Sequence, residues 1–292
     1  MTSLAAPAQP ELVEPSAHGL HEVFRRRYLL RLLVRRELNA RFSGSLLGMI
    51  WSYINPAVQI FVYWFVFGVI MDMQRTENFP VHIFSGMVVI HFFTQTFNAG
   101  TQSIVRNKQL VTKLPLPREM FPVASMLVSL FHMFPPMLML AVVCVAYGWT
   151  PDPVGVVAGL LAVVLMAVLG TSLALVFSVA NVLFRDFGQV VTILTSVVRF
   201  SVPMIYPYTL VDDRFGAEMV GAYLTNPLST AVLLMHRCFW SGTTNNPQET
   251  LQTHFPDHLF ERAGLAILAS LLLLVFAQIF FSRFEKRMPE HL

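Results

Sequence analysis

Few residues of this chain are arranged for covalent chemistry. None of its 15 glycines is followed by lysine, so the phosphate-cradling loop built on a Gly-Lys step is absent. His21-Glu22 opens like a helical zinc-protease motif, but Arg25 stands where the second histidine would have to be. Gly170-Thr171-Ser172 continues with Leu173 and Ala174, which lacks the second glycine of a nucleophile elbow. Asp212-Asp213 could hold a metal in a lipid-sugar transferase, yet no other ligand group stands beside them, and a solvated loop pair is the plainer reading. Cys144 and Cys238 are the only cysteines. They lie in apolar stretches at no metal-ligand spacing and read as buried small side chains. No catalytic role, resident metal or cofactor is expected in this chain.

The elements that would position any chemistry follow from composition. Of 292 residues, 55% are hydrophobic and 13% charged, about half the charged share of an ordinary soluble domain. Mean hydropathy is +0.59. A soluble enzyme, a disulfide scaffold and a disordered regulator are excluded, and apolar runs of spanning length make this an integral membrane protein. The net charge of +3 does not imply a nucleic-acid partner, because the 20 Lys and Arg gather near the ends of apolar runs instead of forming one patch.

Residues 1–20 are rich in Pro, Ala and Ser and read as a tail. Arg25-Arg26-Arg27 begins like a twin-arginine signal, but Arg31, Arg35, Arg36 and Glu37 interrupt the apolar stretch such a signal needs. Residues 21–41 contain no Gly or Pro. At 100° per residue, Arg27, Arg31 and Arg35 share a face opposite Leu29, Leu30 and Leu33. This predicts a helix along the membrane surface, apolar side in lipid and Arg toward anionic headgroups or a partner. Spans are predicted at 47–71, 81–100, 121–147, 154–183, 188–206 and 263–282. With the N-terminus inside, cytoplasmic segments hold the seven Arg before residue 42 together with Arg106, Lys108, Lys113, Arg118, Arg185, Arg283, Lys286 and Arg287, fifteen in all. External segments hold four, Arg75, Arg214, Arg237 and Arg262. That asymmetry predicts six helices with both termini inside. Residues 228–242 are apolar but fall short of the ~20 residues a span requires. They read as part of a re-entrant or interfacial hairpin, its second limb starting at Asn226-Pro227.

The spans hold essentially no acidic side chain and one clear cation, Arg199. Ion-coupled transporters rely on intramembrane Asp or Glu, so energy for any pumping must come from elsewhere. Between spans two and three, Ile104, Val105, Leu110 and Val111 are interleaved with Arg106, Lys108 and Lys113, and Pro115 and Pro117 end the helix. Such a short amphipathic helix can dock in a cytoplasmic partner's groove; a basic loop that only enforces topology is the other reading. Aromatics crowd span one (Phe61, Tyr63, Trp64, Phe65) and span two (Phe92, Phe93, Phe97). Their faces suit stacking on sugar rings along a conduit, while packing or an interfacial belt would use the same residues.

The run from Leu33 through Arg35, Arg36, Glu37, Asn39, Arg41, Phe42 and Gly44 to Gly48, followed by Trp51 and Asn55-Pro56, resembles the N-terminal signature of polysaccharide-exporting type-2 ABC permeases, the Wzm-like subunits. Lys113-Leu114-Pro115-Leu116-Pro117-Arg118, Phe184-Arg185-Asp186-Phe187 and Pro203-Met204-Ile205-Tyr206-Pro207 are also similar to that family. The resemblance implies an all-α membrane protein of six spans, N-in and C-in. It comprises a disordered tail at 1–20, an amphipathic interface helix and linker at 21–46, and a transmembrane domain at 47–292. Residues 103–114 would be a coupling helix, with Arg106, Asn107, Lys108, Gln109, Leu110 and Val111 seated on a separate ATPase, and Arg185-Asp186 a second contact. Arg27, Arg31, Arg35 and Arg36 would meet a lipid diphosphate, the aromatics above would line a glycan conduit, and Tyr206, Pro207 and Tyr208 would belong to external gate helices within 207–242. Expected partners are a second copy, two ATPase subunits that bind the ATP and magnesium, a lipid-linked polysaccharide and membrane lipids, in a bacterial cytoplasmic membrane. The competing readings are a permease for a small lipid or drug and a polyprenyl-sugar transferase.

Overall fold

A computed structural model of the chain describes residues 19–42, 48–71, 76–114, 116–285 and 288, and each regular element among them is helical. The tail at 1–18, the linker at 43–47, Arg75, Pro115, Lys286 and Arg287 lie outside the described residues, as do the side chains of Arg41, Asp212 and Asp213. Helix α1 (Leu20–Arg25) and helix α2 (Arg27–Phe42) are parted at Arg26, whose guanidinium donates to the Glu22 carboxylate at 2.7 Å. Helix α3 (Trp51–Tyr63) widens into a π-helical stretch at Trp64–Ile70. There follow α4 (Phe79–Arg106), α5 (Lys108–Lys113), α6 (Met120–Ala146), α7 (Pro153–Leu183), α8 (Phe187–Val198), α9 (Thr209–Leu224), α10 (Pro227–Met235), α11 (Pro247–Thr253) and α12 (Leu259–Phe284).

Local sequence explains the starts of the long elements. Asp152 accepts the Gly155 backbone N–H at 3.2 Å, and Pro153, which has no N–H to lose, begins α7. The Arg237 guanidinium clamps the same carboxylate from α10's continuation at 2.6 and 2.8 Å, which holds Asp152 below the usual carboxylate range. Asn226-Pro227 opens α10 the same way, its side-chain oxygen accepting from Leu228 N–H at 3.0 Å. Helix α6 passes through Pro135 and Pro136 without ending.

Among the described residues, four helices are long and apolar enough to cross a membrane: Gly48–Ile70, α6, α7 and α12. Helix α4 has the length but not the apolarity. Helix α8, with 12 residues, spans only ~18 Å. The predicted fifth span therefore ends early, at Val198 instead of 206. The following residues turn because Pro203 supplies no helical N–H and disfavours helical backbone at Val202.

The long helices alternate in direction, so their ends gather at two levels. One end, called basal here, carries α2, α5 and the α7–α8 turn. The other, apical, carries the starts of α4, α7 and α12. A core of Phe84, Ile90, Phe92, Phe93, Leu140, Leu165, Val232 and Trp240 fills the middle and apical part. Between helices in lipid there is no hydrophobic drive, so close backbone approach supplies the attraction. A Cβ added at Gly100 of α4 would sit 2.5 Å from the Ala174 Cβ of α7, and one at Gly159 would sit 2.7 Å from Cys238 Sγ. Gly100→Val is expected to force α4 and α7 apart at a cost of ~1–3 kcal/mol, read as a lower thermal midpoint of the detergent-extracted protein; an unchanged midpoint would show that the two helices do not depend on this contact.

Candidate functional site

The basal end is a layered assembly. Val23, Leu30 and Leu33 are buried against Ile104, Val111, Phe121, Val179 and Phe281. The inner apolar face of α2 thus packs on protein where the sequence suggested lipid, because the basal ends of α4, α6, α7 and α12 form an apolar shelf beneath it. Arg27, Arg31, Arg35 and Arg36 remain exposed, and so do Phe24, Tyr28 and Leu32, a row four residues apart.

Helix α4 ends at Arg106, turns at Asn107 and continues as α5. Asn107 does not face outward, as the coupling assignment has it. It is buried, its Nδ2 donating to Ser103 O at 3.0 Å and its Oδ1 accepting from Arg36 Nη1 at 3.1 Å. Val111 is buried too and Leu110 half-buried, while Arg106, Lys108 and Gln109 point out. Arg185 and Asp186 are exposed in the α7–α8 turn. A residue not singled out in the sequence ties that turn to α4: buried Asn181 accepts from Gly188 N–H at 2.8 Å and donates to Thr101 O at 3.3 Å. The available signal was an amide in the last turn of an apolar span. Arg118, counted above as one of the cytoplasmic charges, is in fact buried and donates to the Glu285 backbone carbonyl. Beside it, Gln278 Nε2 donates to Glu119 at 3.0 Å, pinning the end of α12 to the start of α6.

A second feature runs up the bundle. On α4, His91, Gln95, Asn98, Gln102 and Arg106 recur every three or four residues, on one face. Gln189, Thr192 and Ser196 of α8 and Arg199 at its C-terminal cap do the same, and all nine are exposed or half-exposed. The rows meet where Asn98 donates to Thr195 Oγ1 at 2.8 Å and accepts from Thr192 at 3.4 Å. Arg199 closes the upper end, 3.4 Å from the Tyr63 hydroxyl, and Arg106 the lower, donating to Gln102 at 2.5 Å. From His91 to Arg106 the row is ~22 Å long. A cleft of about 450 Å³ between α2, α4 and α6 adjoins its lower half, lined by Glu37, Gln95, Asn98, Arg106, Ser125 and Ser129.

The aromatics divide. Phe61 and Phe65 are exposed and stack at 6.1 Å; Tyr63 and Trp64 are half-buried. Phe92, Phe93 and Phe97 are 1, 2 and 4% exposed in the chain's own core, so they pack helices and cannot line a conduit. They occupy the face of α4 opposite its polar row. Tyr206 donates to Phe200 O at 3.1 Å and accepts from Tyr223 at 3.3 Å, with Pro207 and Tyr208 half-buried beside it. Among the described residues no three His, Cys, Asp or Glu side chains are grouped to hold a metal.

An all-helical bundle with several helices apolar enough to span and a buttressed basal helix has the form of a polytopic membrane protein. The chain belongs to the ABC-2 type transporter family, whose description matches residues 28–240, and it is a multi-pass protein of the inner membrane. It is 30% identical over 223 residues to the O-antigen export system permease protein RfbA of Myxococcus xanthus, covering 76% of this chain and 84% of that one. It is 25% identical over 240 residues to the protein of the same name from Klebsiella pneumoniae, covering 82% and 90%.

Asn181→Leu leaves the Gly188 N–H and Thr101 carbonyl without their partner, a loss of ~1–3 kcal/mol in buried surroundings. Trypsin should then cleave at Arg185 several-fold faster than in the unaltered protein; equal cleavage would mean that the turn is held by other contacts.

Proposed function

We propose that this chain is the transmembrane subunit of an ATP-driven exporter that moves a polysaccharide, linked to an undecaprenyl- or decaprenyl-type diphosphate lipid, across the cytoplasmic membrane. The O-antigen export permeases it resembles support the polymer class. The observation that carries the reading is the joined polar row of α4 and α8. Amide, hydroxyl and imidazole groups at membrane depth are costly unless they face water or a polar cargo. Hydroxyl-rich sugars can exchange hydrogen bonds along such a row without one fixed register. A small lipid or drug would call for an apolar pocket, and a transferase would rest on the Asp212-Asp213 pair alone.

In this reading α3, α4, α6, α7, α8 and α12 are the six spans, and the basal end is cytoplasmic because the positive charge lies there. Residues 21–46 form the interface helix and linker, and 47–292 the transmembrane domain. Helices α9 and α10 are the external gate, with Tyr206, Pro207 and Tyr208 at its hinge. Two copies enclose the path, with Phe61, Tyr63, Trp64 and Phe65 as its remaining aromatic candidates. Two separate ATPase subunits, which carry the ATP and magnesium, seat the outward face of α5 and the Arg185-Asp186 turn. Arg27, Arg31 and Arg35 attract the lipid diphosphate, while Arg36 is engaged with Asn107. ATP-driven closure of the ATPase pair pushes on α5 and on the α7–α8 turn. Asn107, Arg36 and Asn181 carry that displacement to α2, α4 and α8.

Depleting the chain should remove the cell's surface polysaccharide while an ATPase subunit co-purifies with the tagged permease; an unchanged surface glycan would sink the assignment. Replacing residues 108–111 with Gly and Ser should abolish export with the permease still in the membrane, and normal export by that variant would remove the coupling role of α5. In the assembled complex, Thr192→Cys and Ser196→Cys should react with a membrane-impermeant thiol reagent at least ten times faster than Ile193→Cys on the apolar side of α8. Equal rates at all three positions would show that the row is not a hydrated path.

A further inference from the structure

At the apical end, some 28 residues of α4 away from the coupling segment, lies a polar cavity of about 330 Å³. It is formed by the residues just before α4, the segment after α10, and α11. Glu77, Asn245, Asn246, Glu249, Thr253 and His254 line it, with Trp240 as its floor. The walls are fixed by bonds among the three segments. Trp240 Nε1 donates to Glu77 O at 2.7 Å, Asn78 Nδ2 donates to Thr243 O at 2.5 Å, and buried Thr250 donates to Thr244 Oγ1 at 2.9 Å. A loop that only joined two helices would not need this bracing.

The braced groups leave hydrogen-bonding capacity unused. Glu77 accepts the Asn245 N–H with Oε1, and Glu249 accepts from Asn246 Nδ2 with Oε2; among the described residues the second oxygen of each makes no hydrogen bond. Among the described residues the buried His254 Nδ1 has no hydrogen-bond partner, and the imidazole can donate or accept at its other nitrogen, depending on its tautomer. Carboxylate oxygens, side-chain amides and an imidazole around a preformed cavity are the set that reads vicinal hydroxyls. The two carboxylates would repel a polyanion, and with His254 they are not grouped as metal ligands.

We propose that this apical cavity is a saccharide-binding site that holds one or two uncharged sugar units of the polymer as it leaves the path, opposing its return. This rests on the polysaccharide-export reading and extends it to the exit side. Retention at the exit would let successive strokes of the ATPase add displacement instead of losing it to back-diffusion.

The test uses the permease–ATPase complex in lipid nanodiscs, titrated with oligosaccharides released by mild acid from the host's own surface polysaccharide. Binding is read by tryptophan fluorescence, to which Trp240 at the cavity floor contributes. The unaltered complex should show a saturable change, weakened at least tenfold by Glu249→Gln, Asn245→Ala or His254→Phe. Glu249→Gln keeps an acceptor for Asn246, and none of the three touches the bracing bonds. Absence of a saturable change, or equal affinity in all three variants, overturns the proposal. So does a signal produced by calcium alone and abolished by chelator, which would make the cavity a cation site. Loss of surface glycan on depletion, measured in parallel, separates these failures from failure of the export reading.

Discussion

A polar group in hydrocarbon must find water, a partner or a cargo, and the architecture is organised around that requirement. Helix α4 is the most extensively buried of the long helices among the described residues, yet one of its faces is lined with amides and an imidazole. Its opposite face, with Phe92, Phe93 and Phe97, anchors the core. The same helix therefore carries both the core-packing face and the continuous polar row. Helix α8 can be short because its length need not match the bilayer. It has to bring Gln189, Thr192 and Ser196 beside the row on α4 and then turn at Arg199. Among the described residues, the four helices long and apolar enough to span are Gly48–Ile70, α6, α7 and α12, and α4 packs chiefly on α6 and α7.

The basal end is held together by small polar contacts between separate elements. Isolated surface pairs would contribute little, but the bonds here join separate elements. Arg36 reaches Asn107 from α2, Asn181 reaches both Thr101 and Gly188, and Arg118 holds the end of α12. An element pushed at α5 or at the α7–α8 turn cannot move without carrying its neighbours.

Much of the fold was legible because charge and apolarity are separated along the chain. The first, third, fourth and last spans match observed helices to within a few residues, and Asn226-Pro227 starts a helix as the capping chemistry dictates. The fifth span was drawn too long because apolar content outweighed the stop imposed by Pro203. The site was read less well. Phe92, Phe93 and Phe97 look like a sugar-stacking series, but a helix has two faces, and the sequence does not say which one a neighbour covers. The row from His91 to Arg106 has clear helical spacing and was passed over because each member alone is unremarkable. Arg118 and Asn107 appear as surface polar residues in a linear reading, and only the meeting of α6 with α12, or of α2 with α5, reveals them as buried.

Helix α3 carries a consequence for biosynthesis. Almost none of its most apolar window is covered by the rest of the chain, and its apical half is π-helical, with wider turns than its basal half. A newly inserted chain therefore has one span whose position its own contacts scarcely fix. In the proposed dimer, a second copy is what would cover that surface.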